Sequence, residues 1–335
     1  MRLADDTRYA YAVARVRGME TGLLDRQWIE RLLAEGAVGA LKVLGDSAFQ
    51  EAMSGVGRPQ DVETGLIAAL AETLEVVSRI APEPELTDLF RVRWDFRNLR
   101  SLVKASLLKM PATDMGLTDG PGTVELAAME KAVSENDYAA LPDVLGDAAR
   151  AAQDDYRDHG ELARVDHLID DAMWAHQLRV ATSLGNAFLG SFFRTEIDLL
   201  NVRTFARVKT AGGDEGDLAA SLIEGGHLDR SFLKEYLGEP MEAFARGLEY
   251  GRYGSLAAVF RDWSEERAYR LELACDNVLL DAVEHSRREA YGIEPLVAFI
   301  LVRHLEIKLV RAAMTAKLDG IGREVVEERM RAVHS

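Results

Sequence analysis

The chain has 335 residues, 48% of them apolar and 29% charged, with a net charge of −16; that length supports two or three domain-sized units and excludes a peptide-sized accessory, and that composition argues against disorder over most of the chain. The negative charge disfavours attachment of the surface as a whole to DNA, RNA or anionic lipid, each itself a polyanion, and favours basic loops on protein partners. A single cysteine, Cys275, excludes an internal disulfide framework and a cysteine-based zinc site, as expected in a reducing cytoplasm.

In chain order, the opening MRLADDTRYAYA lacks a basic start followed by an apolar stretch, so no secretory signal is expected. Helical periodicity sets in at once with YAYAVARVRGMETGLLDRQWIERLL (9–33) and runs through nearly every later segment, while strand signals are scarce. Only eight prolines interrupt a chain rich in Ala, Leu, Glu and Arg, so the predicted fold class is all-α. A first long helix is expected around WDFRNLRSLVKASLL (94–108), closed by the Pro, Gly, Asp and Thr of MPATDMGLTDGPGT (110–123).

DDYRD (154–158) is the most enzyme-like run. Asp154, Asp155 and Asp158 share a helical face and could hold magnesium and a diphosphate, as in helical prenyl-diphosphate enzymes. The run stands just before a helix stop at Gly160 and shows no second acidic cluster or phosphate-binding bases, so an exposed acidic helix end is favoured. In DHLIDDAMWAH (166–176), His167, Asp170, Asp171 and His176 are candidate metal ligands at helical spacing; His167 and Asp171 share a face but His176 does not join them, and the metal reading yields to surface polar residues beside core-facing Met173 and Trp174.

VATSLGNAFLGSFF (180–193) and PLVAFILV (295–302) are too polar or too short for a membrane span, which takes about 18 apolar residues. A second long helix, IDLLNVRTFARVKTA (197–211), ends at the linker AGGDEGD (211–217), whose acids are wrong for a phosphate loop. GLEYGRYGS (247–255) has three glycines but no preceding strand. No cofactor is therefore expected, and no catalytic triad can be assembled. The last long helix covers LEIKLVRAAMTAKLD (305–319).

The three long helices are related. Asp95, Asp198 and Glu306 fall in register, 103 and 108 residues apart, and Arg100, Arg203 and Arg311 follow each acid by five. Asn98 matches Asn201, and Leu309 departs from them in the third copy. Two further echoes fit the period: LKVLGD (41–46) with LPDVLGD (141–147), and LLDRQWIERLL (23–33) with HLDRSFLKEYL (227–237). Internal triplication follows, with repeats at 1–115, 116–214 and 215–335. Each acid lies inside the apolar stripe of its helix, where an unpaired carboxylate costs several kcal/mol, roughly. Arg91 and Arg194, four residues before their acids, and Arg303, three before, are the expected intrahelical partners. The recurrence of one element favours a structural polar network over a single catalytic site.

The opening segment with Tyr9, Tyr11, Ala14, Arg15, Arg17 and Glu20, the first long helix with Asp95, Asn98 and Leu99, the second with Asp198 and Asn201, and the ending with Glu294, Pro295, Glu306, Lys317 and Gly320 together resemble the C subunit of the archaeal and bacterial V/A-type rotary ATPases, equivalent to the d subunit of the vacuolar enzyme. The likeness runs from residue 9 to about 331. The resemblance implies three similar helical domains around a pseudo-threefold axis, funnel-shaped with a central cavity, and a rotor part without catalytic residues, cofactor or metal. It implies two partners, the central-stalk rotor subunits and the cytoplasmic face of the membrane proteolipid ring, so that torque links ATP hydrolysis or synthesis to proton or sodium translocation. The alternatives are the magnesium-dependent enzyme and a free helical scaffold.

Overall fold

The computed structural model describes residues 7–83, 85–287, 289 and 292–320, and all of the regular structure among them is helical. The fold class is all-α. The chain divides into two compact units, Met1–Thr87 with Glu266–Ser335, and Asp88–Glu265. The first unit thus joins the two ends of the sequence, and the second is one continuous stretch.

Five helices open the first unit: α1 (Ala10–Glu20), α2 (Arg26–Ala34), α3 (Ala37–Gly45), α4 (Gln50–Met53) and α5 (Val62–Ile80). Asp25 starts α2 by accepting a hydrogen bond from the Trp28 N–H at 2.7 Å, which satisfies one of the free donors at a helix start. The apolar positions of α5, Leu66, Leu70, Leu74 and Val77, recur at helical spacing and are buried. This helix packs along the last helix of the chain, described below.

Among the described residues the second unit contains nine α-helices: α6 (Glu85–Leu108, counted from Asp88), α7 (Leu126–Glu135), α8 (Asp143–His159), α9 (Leu162–Ser183), α10 (Ala187–Thr210), α11 (Glu215–Ala219), α12 (Arg230–Glu235), α13 (Met241–Glu249) and α14 (Ala257–Arg261). Phe96, Leu99, Leu102 and Val103 of α6 pack with Ala148, Ala149 and Ala152 of α8 and with Val165 and Ile169 of α9. Each large side chain buried there contributes about 1.5–3 kcal/mol, and the small alanines let α8 and α9 lie close. The far end of the unit is aromatic. Phe205 of α10, Phe244 of α13 and Phe260 of α14 pack in sequence, the first pair tilted and the second edge-to-face, with ring centroids 4.3 and 4.8 Å apart.

The chain returns to the first unit with α15 (Tyr269–Arg287) and α16 (Glu294–Leu318), which pack on each other, and α16 also lies along α5. Pro295 to Leu301 is a continuous buried run, so the apolar stretch PLVAFILV is a core helix segment. Among the described residues no helix is long and apolar enough to cross a membrane.

Candidate functional site

The long helices α6, α10 and α16 each carry a buried acid, and each acid is met by the backbone of a chain segment distant in sequence. On α6, Asp95 is 1% exposed. It accepts hydrogen bonds from the Thr123 N–H at 3.0 Å, the Thr123 hydroxyl at 2.7 Å and the Val124 N–H at 3.1 Å. One turn on, Asn98 donates from Nδ2 to the Thr118 carbonyl at 2.8 Å and accepts from the Thr118 N–H at 3.2 Å. The linker after α6 is therefore folded back along the helix that precedes it, held by two side chains.

On α10 the same bonds recur. Asp198, fully buried, accepts from the His227 and Leu228 N–H groups, both at 2.9 Å, and from the Tyr253 hydroxyl. Asn201 donates to the Ile223 carbonyl at 2.8 Å and accepts from the Ile223 N–H at 2.9 Å. On α16, Glu306 accepts from the Leu24 N–H and from Arg303 Nη1, the latter at 2.8 Å. Leu24 stands in the echo LLDRQWIERLL where Leu228 stands in HLDRSFLKEYL. The acid on the last long helix is thus met by a segment near the start of the chain.

Two glycines make the close approach possible. A Cβ on Gly122 would lie 2.3 Å from Asp95 Oδ1, and one on Gly226 would lie 2.0 Å from Asp198 Oδ1. Each glycine immediately precedes the residues whose N–H groups reach the carboxylate, so no side chain can stand there. Gly22 holds the matching place before Leu23 and Leu24, with ordinary contacts only.

Electrostatics follow from burial. Removing a carboxylate from water raises its pKa, and hydrogen bonds to the charged form lower it. Burial pushes Asp95 above the usual carboxylate range, against the opposing pull of the Thr123 and Val124 bonds. The Tyr253 phenol is pushed up by burial first and then by the Asp198 carboxylate, so it stays neutral and donates.

The arginines divide differently from the expected intrahelical pairing. Arg303 does pair with Glu306. Arg194 instead donates to the Gly225 carbonyl at 2.7 Å, bracing the loop that wraps Asp198. The partners of Asp95 are the N–H and hydroxyl groups of 123–124, and Arg91, partly buried one turn before it, is not among them. The reason is reach: an aspartate side chain is short and turns its oxygens to the loop, whereas Glu306, one methylene longer, serves Leu24 and still reaches back to Arg303. Of the downstream arginines, Arg100 donates to Asp170 at 2.7 Å on α9, and Arg311 forks onto Glu63 with two bonds of 2.8 Å. Arg203 lies partly buried on α10.

Part of each enzyme-like run is otherwise engaged. Asp155 is forked by Arg164 Nε and Nη2 at 2.8 and 2.5 Å, and that bond first of all holds its carboxyl below the usual range. Asp154 pairs with Arg157 at 3.0 Å. Asp170, raised by burial, takes Arg100, and His176, lowered by burial, stands beside Arg179. Among the described residues no three His, Cys, Asp or Glu side chains are grouped to hold a metal ion. The buried acids of α6, α10 and α16 each have both oxygens in hydrogen bonds, to backbone N–H, hydroxyl or guanidinium donors, an arrangement that holds distant backbone against the helix.

Sequence reasoning found the acids, the asparagines and the Arg303–Glu306 pair, but missed the backbone partners. Backbone N–H groups have no residue signature. The available signal was the glycine placed two positions before Val124, Leu228 and Leu24, together with the 23–33 and 227–237 echo.

Comparison with known proteins finds relatives that match nearly the whole chain. The C subunit of the A-type ATP synthase of Thermococcus kodakarensis is 28% identical over 96% of the chain and 90% of its own length. The C subunit of the V-type sodium ATPase of Enterococcus hirae is 24% identical over 95% and 97%, and that of the V-type ATP synthase of Thermus thermophilus 26% identical over 98% and 99%. The family model for the ATP synthase (C/AC39) subunit matches residues 12–329, and the chain belongs to that family.

Proposed function

We propose that the chain is a non-catalytic rotor subunit of an A/V-type ATPase, seated between the central stalk and the cytoplasmic face of the proteolipid ring, where it passes torque between ATP turnover and ion translocation. The observation that carries this reading is the family match from residue 12 to 329, with relatives named as C subunits matched over nine-tenths or more of their length. The absence of a membrane-crossing helix among the described residues suits a part that docks on a ring from outside the bilayer.

The body we propose is three helical repeats, 1–115, 116–214 and 215–335, around a pseudo-threefold axis with a central cavity; residues 1–6, 84, 288, 290, 291 and 321–335 of these lie outside the described residues. Support comes from the recurrence of one bonded pattern on α6, α10 and α16. A torque-bearing part must resist twisting, and buried charge-assisted bonds between a helix and a distant segment stiffen such a body more than surface ion pairs would. The acidic surface suits basic loops on its partners, speeding their docking. The magnesium-enzyme alternative has no support in the site, because Arg164 occupies Asp155.

The experiment is co-migration of the purified chain with the central-stalk subunits and with the detergent-solubilised proteolipid ring. A ternary species containing stalk, chain and ring is expected. A folded chain that binds neither overturns the proposal.

A further inference from the structure

Beside the Glu306 contact, the unit that joins the two chain ends contains a cavity of about 210 Å³ between α1, α5, α16 and the segment before α4. Its wall is mostly apolar: Met19, Ala48, Phe49, Ala69, Val76 and Phe299. Into it comes Arg303, 8% exposed. The guanidinium lies over the Phe49 and Phe299 rings at 5.2 and 5.8 Å, which fixes its plane, and Nη1 is used by Glu306 at 2.8 Å. Among the described residues Nε and Nη2 have no partner, and neither atom is sealed from solvent. These two N–H groups point the same way and form the fork that fits a carboxylate with two parallel bonds.

We propose that this cavity is a binding site for a small zwitterion, an apolar α-amino acid, held by its carboxylate on Arg303 and its ammonium on Glu72. Charge decides between ligand classes. The Arg303 charge is already balanced by Glu306, and Glu72 adds one further negative charge to the wall. A phosphate or simple carboxylate would leave the site more negative still, and a simple amine would meet the arginine fork. A zwitterion answers both ends and changes no net charge. Thr73, also in the wall, donates its hydroxyl to the Ala69 carbonyl at 2.8 Å, so its oxygen remains an acceptor for an ammonium. The volume is enough for an aliphatic side chain against the phenylalanines, since a cavity of about 150 Å³ holds benzene. The site is independent of the coupling role.

The test is calorimetric titration of the full chain with leucine, with 4-methylpentanoate, which lacks the ammonium, and with 3-methylbutylamine, which lacks the carboxylate. Leucine is expected to bind saturably, with each half-ligand at least tenfold weaker. Ala48→Phe places a ring in the cavity from an exposed position and should abolish leucine binding with the unfolding midpoint unchanged. Glu72→Gln, also exposed, should bring leucine and 4-methylpentanoate to within twofold of each other. Absence of saturable leucine binding, equal binding of a half-ligand by the unaltered chain, or binding that survives Ala48→Phe overturns the proposal.

Discussion

At the scale of single residues the buried carboxylates set the energetics. Asp198→Ala removes the acceptor for two backbone N–H groups and the Tyr253 hydroxyl at a fully buried place. Unsatisfied buried donors cost about 1–3 kcal/mol each, with partial relaxation, so a loss of roughly 3–5 kcal/mol is expected in urea denaturation. An unchanged midpoint would show that the contact carries no stability. Gly226→Ala should act through the same carboxylate, because its Cβ would stand 2.0 Å from Asp198 Oδ1; Gly18→Ala, with open space around it, is the control and should be neutral or slightly stabilising. Asp95 adds a pH signature. Its folded pKa is raised, so the folded state holds the proton more tightly than the unfolded chain, whose value is about 3.9. Its contribution to stability is therefore greatest in acid and is lost as pH rises from about 4 through the folded value. The unfolding free energy of the parent minus that of Asp95→Asn should fall over that interval and then level off. A difference that grows with pH would mean the three donors outweigh burial.

At the scale of elements, what was legible in the sequence is what is local. Apolar spacing marked α6, α10 and α16 and put Asp95, Asp198 and Glu306 on their buried stripes, because a helix writes its own period into the chain. Of the partners only Arg303, one turn before Glu306, was legible; the others are backbone groups of loops some thirty residues on, and in the third case near the opposite end of the chain. The same logic explains Leu309, which replaces the asparagine of the other two copies. Counting back along the echo, the residue matching Ile223 is Met19, which lies inside α1, and its carbonyl accepts from the Gly22 N–H at 3.0 Å. A segment that is already helical has no open backbone pair for an asparagine to fill. The irregular loop after α11 does, and hydrogen exchange should report it. The Ile223, His227 and Leu228 amides are expected to be strongly protected although they lie outside regular structure, since their bonds are made to buried side chains. Asn201→Leu should speed exchange at Ile223 and leave His227 and Leu228 slow. Uniform fast exchange across 223–228 in the parent would mean the loop is not held by α10 in solution.

At the scale of the whole molecule, the compact units and the sequence repeats divide the chain differently, and that difference is testable. The first unit is closed by contacts between the two ends of the sequence: Leu24 N–H with Glu306, Arg311 with Glu63, and Lys317 Nζ with the Leu33 carbonyl at 3.1 Å. It also depends on α16 to cover the buried face of α5. Nothing in the local sequence announces this, since it rests on pairs more than 200 residues apart. Residues 85–265 contain the helices and core of the second unit and should fold as an isolated fragment, with helical circular dichroism and a sigmoidal denaturation curve. Residues 1–87 alone expose Leu66, Leu70, Leu74 and Val77 and lose the acid that receives Leu24, so they should show no cooperative transition. Adding residues 266–335 in trans supplies α15 and α16 and should restore one. If 1–87 folds alone, the N-terminal helices hold a self-sufficient core, and Glu306 fastens a preformed body instead of completing it; if 85–265 fails to fold, the stability of the inserted stretch is borrowed from the chain ends that flank it.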